Sequence, residues 1–373
     1  MGVALVCLTL LTLLPTAATA EPHFSARTGL RCARCHTSPL GGGKRTPYGV
    51  LFSQTSLPAS FSAPRASVPA GAAGGGESWI TSTLATGEVT DWMAVGADLR
   101  LDNRTTLGDE TDNTFRTSAA NLYLELRPWP GRVTLYLDQS FNAGGAQVRE
   151  AWGLVQGPWG IYLRGGRILP PFGLRLLDDD TYTRRATGAN FANPDLGLEI
   201  GLDRGPFFAA VALTNGSFSG DDTDTLKALF AVAELNLGRL RLGLSGAHNP
   251  TEDGCRSMAG LFASVGLGRL VLMGEADYIA QRPADSARWA HQLAAMAELD
   301  LLVTKGLSVR MGWDFHDADL ELTQDRRQRF RFGVDLHPLR MVEVKLYYIH
   351  KQAETTRPAD NADRLEVTLH VYL

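Results

Sequence analysis

From about residue 91 to the C-terminus, apolar and polar side chains alternate one for one in run after run. Leu365, Val367, Leu369, Val371 and Leu373 alternate with Glu366, Thr368, His370 and Tyr372. Leu307, Val309, Met311, Trp313 and Phe315 do the same, as do Phe330, Phe332, Val334 and Leu336, and Val342, Val344, Leu346 and Tyr348. A period of two belongs to an extended strand with one apolar and one polar face. Helices therefore do not carry these segments.

The connections between the runs narrow the choice further. Tight turns fall at 128–131, 157–160, 203–206, 237–240, 267–270, 304–307 and 337–341. Longer polar connections fall near 103–113, 142–147, 169–195, 217–226, 249–257, 281–288, 317–327 and 353–362. The two kinds alternate strictly, which is the asymmetry of an outer-membrane barrel with short periplasmic turns and long external loops. The fold class predicted is all-β, an antiparallel transmembrane β-barrel of about sixteen strands, beginning near Asp91 and ending at Leu373.

The polar faces are charged to a degree that a sandwich core does not accept. Asp98, Arg100, Glu125, Asp138, Arg164, Glu199, Glu234, Arg241, Glu275, Asp277, Glu298, Asp300, Arg310, Asp314, Arg331, Asp335, Glu343 and Lys345 all fall on them. A barrel of this size is expected to leave a water-filled lumen where such charges stay solvated and paired. An open sheet of the same strands would leave its edges bare. Trp92, Trp129, Trp159 and Phe207 fall at strand ends on the tight-turn side, where an aromatic girdle is expected.

The remaining chain is short. Residues 3–14 are an apolar run, followed by Pro15 and a small-residue stretch to Ala20, so 1–20 reads as an export leader cleaved after Ala20. Residues 21–56 are a polar segment, and 57–76, rich in Pro, Ala, Ser and Gly, read as a flexible linker. The barrel is assigned to 77–373. With 36 basic and 40 acidic residues and a net charge of −4, no nucleic-acid surface is expected. Four cysteines exclude a disulfide-rich scaffold.

The motif that carries chemistry is Cys32-Ala33-Arg34-Cys35-His36. Two cysteines with two residues between them match the two vinyl groups of a haem, and the adjacent histidine reaches the iron as proximal ligand. In an exported chain this predicts one covalent haem c on Cys32 and Cys35 with His36 on the metal. The same residues also allow a Cys32–Cys35 disulfide or half of a zinc site. His23 is the other histidine of this segment and a candidate distal iron ligand; the alternative is a solvated residue, with the sixth position taken by water or a barrel residue. Gly41, Gly42 and Gly43 would let the backbone pass close to a porphyrin. Lys44 or Arg45 suit a propionate, and Tyr48 or Phe52 a ring cover, although a basic turn and ordinary core aromatics fit them equally. In the longest loop, Asp178, Asp179 and Asp180 with Arg184 and Arg185 either form a solvated tip or fold inward to narrow a channel. Cys255 reads as an unpaired thiol. No nucleophile elbow, phosphate loop or catalytic histidine constellation is present, so an electron carrier or a porin is favoured over an enzyme.

The stretch from Phe24 through Cys32, Cys35 and His36 to Thr37, followed by Thr46-Pro47-Tyr48-Gly49, resembles the amino-terminal signature of the fused monohaem cytochrome–porins of iron-oxidising bacteria. The segment Gly166-Arg167-Ile168-Leu169-Pro170-Pro171-Phe172-Gly173 is similar to a porin strand-to-loop segment. Gly41–Gly43 and the long linker depart from that pattern. The resemblance implies a haem at or in the barrel that moves electrons across the outer membrane. It implies as partners outer-membrane lipid, a periplasmic electron-transfer protein such as a soluble cytochrome, and an external donor or acceptor. A solute porin with a tethered periplasmic cytochrome segment is the alternative.

Overall fold

The computed structural model describes residues 21–59, 85–108, 111–142, 145–178, 180–218, 222, 224–354 and 361–373. The predicted leader and residues 60–76 of the predicted linker lie outside them.

Sixteen long strands follow a three-residue strand β1 (Glu88–Thr90). They are β2 (Met93–Leu107), β3 (Asp112–Trp129), β4 (Val133–Asn142), β5 (Gly145–Gln156), β6 (Ile161–Ile168), β7 (Asp195–Arg204), β8 (Phe207–Thr214) and β9 (Ala228–Leu237). The second half is β10 (Leu240–Thr251), β11 (Gly254–Leu267), β12 (Leu270–Pro283), β13 (Ala290–Thr304), β14 (Leu307–Asp317), β15 (Arg327–Leu339), β16 (Val342–Ala353) and β17 (Asp363–Tyr372). Each pairs antiparallel with its sequence neighbours, and β17 closes on β2 with Val371 opposite Leu99 and Leu369 opposite Leu101. Closure removes the free edges and satisfies every ladder within the sheet, the condition for strands to cross a bilayer.

The alternation sorts as expected. Leu99, Leu101, Leu198, Ile200, Leu244, Leu261, Leu369 and Val371 are exposed on the outer surface. Asp98, Glu125, Asp138, Glu199, Glu275, Asp300, Arg310 and Asp335 are buried inside. Because the period is two, a one-residue slip would exchange these sets, so the register is strongly specified. The seven tight turns fall where the sequence places them, and Trp92, Trp129, Trp159 and Phe207 are exposed at that end.

Two expectations are corrected. The connections near 103–113, 142–147 and 249–257 are not long loops. β2 and β3 run on to Leu107 and from Asp112, β4 and β5 meet across residues 143–144, and Thr251 pairs with Gly254 around Glu252 and Asp253. Beyond the apolar band both faces of these strands turn polar, as where Asn103 bonds Asn113 at 3.0 Å, so the ladder continues after the hydropathy contrast ends. The lumen is not an open water-filled channel either. It is filled from one end by residues 21–59 and from the side by the loop after β6.

The inward loop, residues 169–194, packs Phe172, Leu174 and Leu176 against Trp152, Phe230, Phe262 and Met273 of the wall, forming a hydrophobic core across one half of the lumen. Ion pairs fix it. Asp178 accepts from Arg329 at 2.7 Å and Arg331 at 2.6 Å, and Asp180 meets Arg364 at 3.0 Å and Arg104 at 3.2 Å. Arg184, on helix Tyr182–Thr187, is buried against Glu275. Of the sequence alternatives for the acidic triplet, the described members Asp178 and Asp180 take the inward one.

Candidate functional site

Residues 21–59 form a plug of three short helices, α1 (Pro22–Thr28), α2 (Cys32–Cys35) and α3 (Pro47–Thr55). Pro22 and Pro47 each sit in the first turn, where a missing N–H costs nothing. Gly29 ends α1 in the left-handed conformation, and the Thr46 hydroxyl accepts from Gly49 N at 3.2 Å to start α3. Such helices are too short to be stable alone; the barrel wall supplies the remaining stabilisation.

The plug is tied to the wall around much of the circumference. Arg27 pairs with Asp300 of β13 and Arg31 with Asp203 of β7. Glu21 lies 2.8 Å from both Arg310 of β14 and Lys345 of β16. Lys44 meets Glu125 of β3 at 3.0 Å, and its backbone N–H donates to the Tyr136 hydroxyl at 2.9 Å. The Arg164 guanidinium reaches the Ser38 hydroxyl at 3.3 Å. Although burial opposes it, Lys345 and Arg310 hold the Glu21 carboxyl well below the usual range.

Within this plug the motif residues stand together. Cys32 and Cys35 share one helical turn and are both free thiols, not a disulfide. Burial raises both, and Cys35 is pushed up to about 12. His36 caps α2 and is buried, and among the described residues neither Nδ1 nor Nε2 makes a well-formed hydrogen bond, although the Gly42, Gly43 and Lys44 backbone lies near the ring. Burial, then the Arg45 charge, pushes its ring down to about 3 against the opposing pull of the Gly42, Gly43 and Lys44 backbone, so it is neutral, the form that ligates a metal. A buried imidazole that makes no well-formed hydrogen bond calls for an explanation, and a ligand is one. His36 lines a cavity of about 460 Å³ with Gly42, Gly43 and Arg45. A Cβ on Gly41 would lie 3.2 Å from Cys32 Cβ and 4.0 Å from His36 Cδ2, so the glycine keeps the space beside both residues open. Two free thiols, a ligand-ready imidazole and an adjoining cavity fit a haem attached at this motif. Zinc finds no set here: among the described residues no group of three or more His, Cys, Asp or Glu side chains is placed to hold an ion.

His23 is buried on α1 in a different setting. Its Nδ1 lies 3.1 Å from Glu21 and its Nε2 3.4 Å from Asp300. It lines a second cavity, about 400 Å³, which shares Phe24, Leu57 and His337 with the first. Burial, then Arg310, holds its ring well below the usual histidine range. Lys44 is committed to Glu125, whereas Arg45 lies over the Tyr372 ring at 4.0 Å with no carboxylate at ion-pair distance among the described residues. Tyr48 and Phe52 pack around Cys35. Cys255 is a free thiol on β11, 4.0 Å from His248 Nδ1 and remote in sequence from the plug.

Sequence reading missed Arg175 and Phe191, which the inward loop brings to the same cavity as His36. Nothing in their local pattern distinguishes them from ordinary loop residues; only the turn of the loop into the lumen places them.

No family model matches the chain, and no curated protein matches it. Solved structures do. A loop-deletion form of OmpT, an outer membrane protein of Vibrio cholerae, is 11% identical with a TM-score of 0.61, covering 75% of this chain and 99% of that one. An anion-selective porin from Comamonas acidovorans is 13% identical with a TM-score of 0.60, again over 75% and 99%. The outer membrane channel DcaP of Acinetobacter baumannii is 12% identical with a TM-score of 0.54, over 75% and 97%. At such identities the likeness establishes a porin-like sixteen-strand barrel and nothing finer.

Proposed function

We propose that this chain is an outer-membrane haem protein that carries electrons across or at the outer membrane through one c-type haem on Cys32 and Cys35, with His36 as proximal ligand. The observation that carries the reading is the position of the motif. It is held inside the barrel, with a buried His36 beside a cavity and no well-formed hydrogen bond to either ring nitrogen among the described residues. The apolar band of an outer membrane is about 25 Å tall, so a haem hanging below the barrel would not bridge it, whereas one held in the lumen shortens the gap to either side. When bound, the haem supplies the one-electron chemistry. The chain holds it, excludes bulk water and fixes its height in the barrel. The tight-turn end faces the periplasm and a soluble electron-transfer protein; the loop end faces an external donor or acceptor.

His23 is the proposed distal ligand. It is buried, and its cavity adjoins that of His36. The His23 Nδ1 lies 3.1 Å from Glu21, and its Nε2, 3.4 Å from Asp300, would turn from that carboxylate to reach the metal.

A second reading, a solute porin whose cytochrome segment is a cap, is favoured by one observation. The cavity at His36 continues past Arg100, Arg104 and Arg116 toward the loop end, as a polar corridor would. Reconstitution into liposomes decides between the two readings, with a reductant outside and an acceptor trapped inside. The wild-type chain is expected to reduce the acceptor, and Cys32→Ser to fail at unchanged small-solute permeability. Equal electron flux from both leaves only the pore.

A further inference from the structure

The charges lining the His36 cavity are mostly, but not all, held in ion pairs. Among the described residues ten of its lining side chains are Arg or Lys and eight are Asp or Glu. Eight of the ten cations have a carboxylate within 4.0 Å, as Arg100 has Asp98 at 2.9 Å, Arg116 has Asp102 at 3.2 Å and Lys345 has Glu21 at 2.8 Å. The two left over are Arg45 and Arg175.

Their positions are specific. Arg45 stands across an antiparallel bridge from His36, a pairing that places the two side chains side by side. Its guanidinium has the Tyr372 ring beneath it at 4.0 Å and, among the described residues, no carboxylate within ion-pair distance. Arg175 comes from the inward loop. Its Nη2 donates to the carbonyls of Leu169 and Pro170 at 2.9 Å each, which holds the guanidinium in place and leaves its other N–H groups unused. Burial, with Arg164 and Arg184 nearby and against the opposing charges of Glu150 and Glu199, pushes it down to about 10; neither carboxylate is within ion-pair distance. A partly buried guanidinium is costly until a carboxylate meets its fork. Two such groups in one cavity call for two carboxylates.

We propose that Arg45 and Arg175 form a split dicarboxylate site beside His36, and that in the loaded protein they hold the two propionates of the haem. The inference rests on the haem reading above and deepens it. The haem site is then built from two distant parts of the chain. The plug supplies Cys32, Cys35, His36 and Arg45, and the inward loop supplies Arg175. The loop is part of the cofactor cradle, not only a constriction.

Two cations against the propionates favour the reduced, less positive state of the iron. Arg45→Gln and Arg175→Gln, made in the full chain, are therefore each expected to move the haem reduction potential to more negative values, and the double variant further. Covalent haem staining after denaturing electrophoresis should be unchanged. Arg175→Lys, which keeps the charge and loses the fork, should recover part of the shift, whereas a purely structural role predicts no such recovery. Titrations with and without added malonate separate the sources of the carboxylates. If the propionates fill the site, the variants shift without malonate and the wild type ignores it. If a free dicarboxylate fills it, the wild type shifts only with malonate and the glutamine variants lose that response; the dicarboxylate site stands and its assignment to the propionates falls. Potentials that match the wild type under both conditions overturn the site. Absence of covalent haem in the wild type overturns the haem reading itself, a separate outcome.

Discussion

Phe191 of the inward loop lies directly on Gly42 of the plug: a Cβ built on Gly42 would sit 2.4 Å from Phe191 Cε1. Gly42 also has φ +79°, a backbone region that L side chains adopt at a cost. Gly43 beside it, at φ +63°, leaves room for the Tyr136 hydroxyl, whose would-be Cβ distance is 2.2 Å. The plug thus closes on the loop through Gly42 and on the β4 wall through Gly43.

Gly42→Ala should lose this fit. The left-handed conformation alone costs about 1–2 kcal/mol in a residue with a Cβ, and the Phe191 ring must move as well. The expected result is a plug more readily cut by protease at the 41–45 turn, with the barrel still resistant to unfolding by detergent and heat. Phe191→Ala in the Gly42→Ala background should restore part of the protection. A double variant no better than the single would mean that strain, not the ring contact, sets the effect.

The barrel was legible because its signal is local. Leu99 and Val371 belong to runs whose period is read within a few residues, and closure between them follows from the need to leave no edge. The CxxCH motif was equally local. The filling of the lumen was not. Glu21 meets Arg310 and Lys345, and Arg27 meets Asp300, across separations of several hundred residues that no spacing rule anticipates. The inward turn of the loop depends on Asp178 finding Arg329 and Arg331, three side chains that each read as ordinary solvated charges. The strands that run on past 103–113 lost their pattern because both faces become polar there.

Topology gives the next prediction. Because 169–194 folds inward, epitope tags for the outer surface belong elsewhere, at 285–287 or 321–324, where the chain is exposed. These should be accessible on intact cells, and tags at 130–131 or 268–269 should not. Equal access at both sets would mean that the barrel is inverted or not inserted. Leu244→Arg, on the lipid-facing surface, should cost about 2–4 kcal/mol if near the midplane and less toward either interface.

The loop should respond to acid. Arg329 and Arg331, against the opposing effect of burial, hold the Asp178 carboxyl well below the usual carboxylate range. A carboxyl depressed in the folded state adds stability that is present above its unfolded value, near 4, and is lost as pH falls through and below it. Single-channel conductance should therefore be steady from neutral pH down to about 4 and become noisy or larger below. Asp178→Asn should show the low-pH behaviour at pH 7. If its trace at pH 7 matches that of the wild type, Asp178 does not anchor the loop.

Covalent attachment is tested directly by the Cys32→Ser, Cys35→Ser double variant. Haem staining after denaturing electrophoresis should vanish while the folded barrel still migrates as such. His36→Ala should keep the thioethers and change the haem absorption bands, because the axial nitrogen is gone. Staining that survives in the double variant would remove the motif from the site.

Asp300 is the carboxylate on which the plug turns. It is buried on β13, pairs with Arg27 and lies 3.4 Å from His23 Nε2 and 3.7 Å from Arg310 Nε. Asp300→Ala leaves Arg27 facing a low-dielectric wall without its partner, and removal of one member of a buried pair costs about 3–5 kcal/mol. The barrel has its own ladder of hydrogen bonds and does not depend on this contact, so the loss should fall on the plug. Conductance in planar bilayers should rise, with transitions to a more open level that the wild type rarely shows. Asp300→Asn, which keeps an acceptor for Arg27, should lie between the two. An unchanged conductance in Asp300→Ala, with the protein folded, would mean that the ties at Glu21, Ser38 and Lys44 hold the plug without it. The test would then move to Glu125→Ala, which removes the partner of both Lys44 and Thr37.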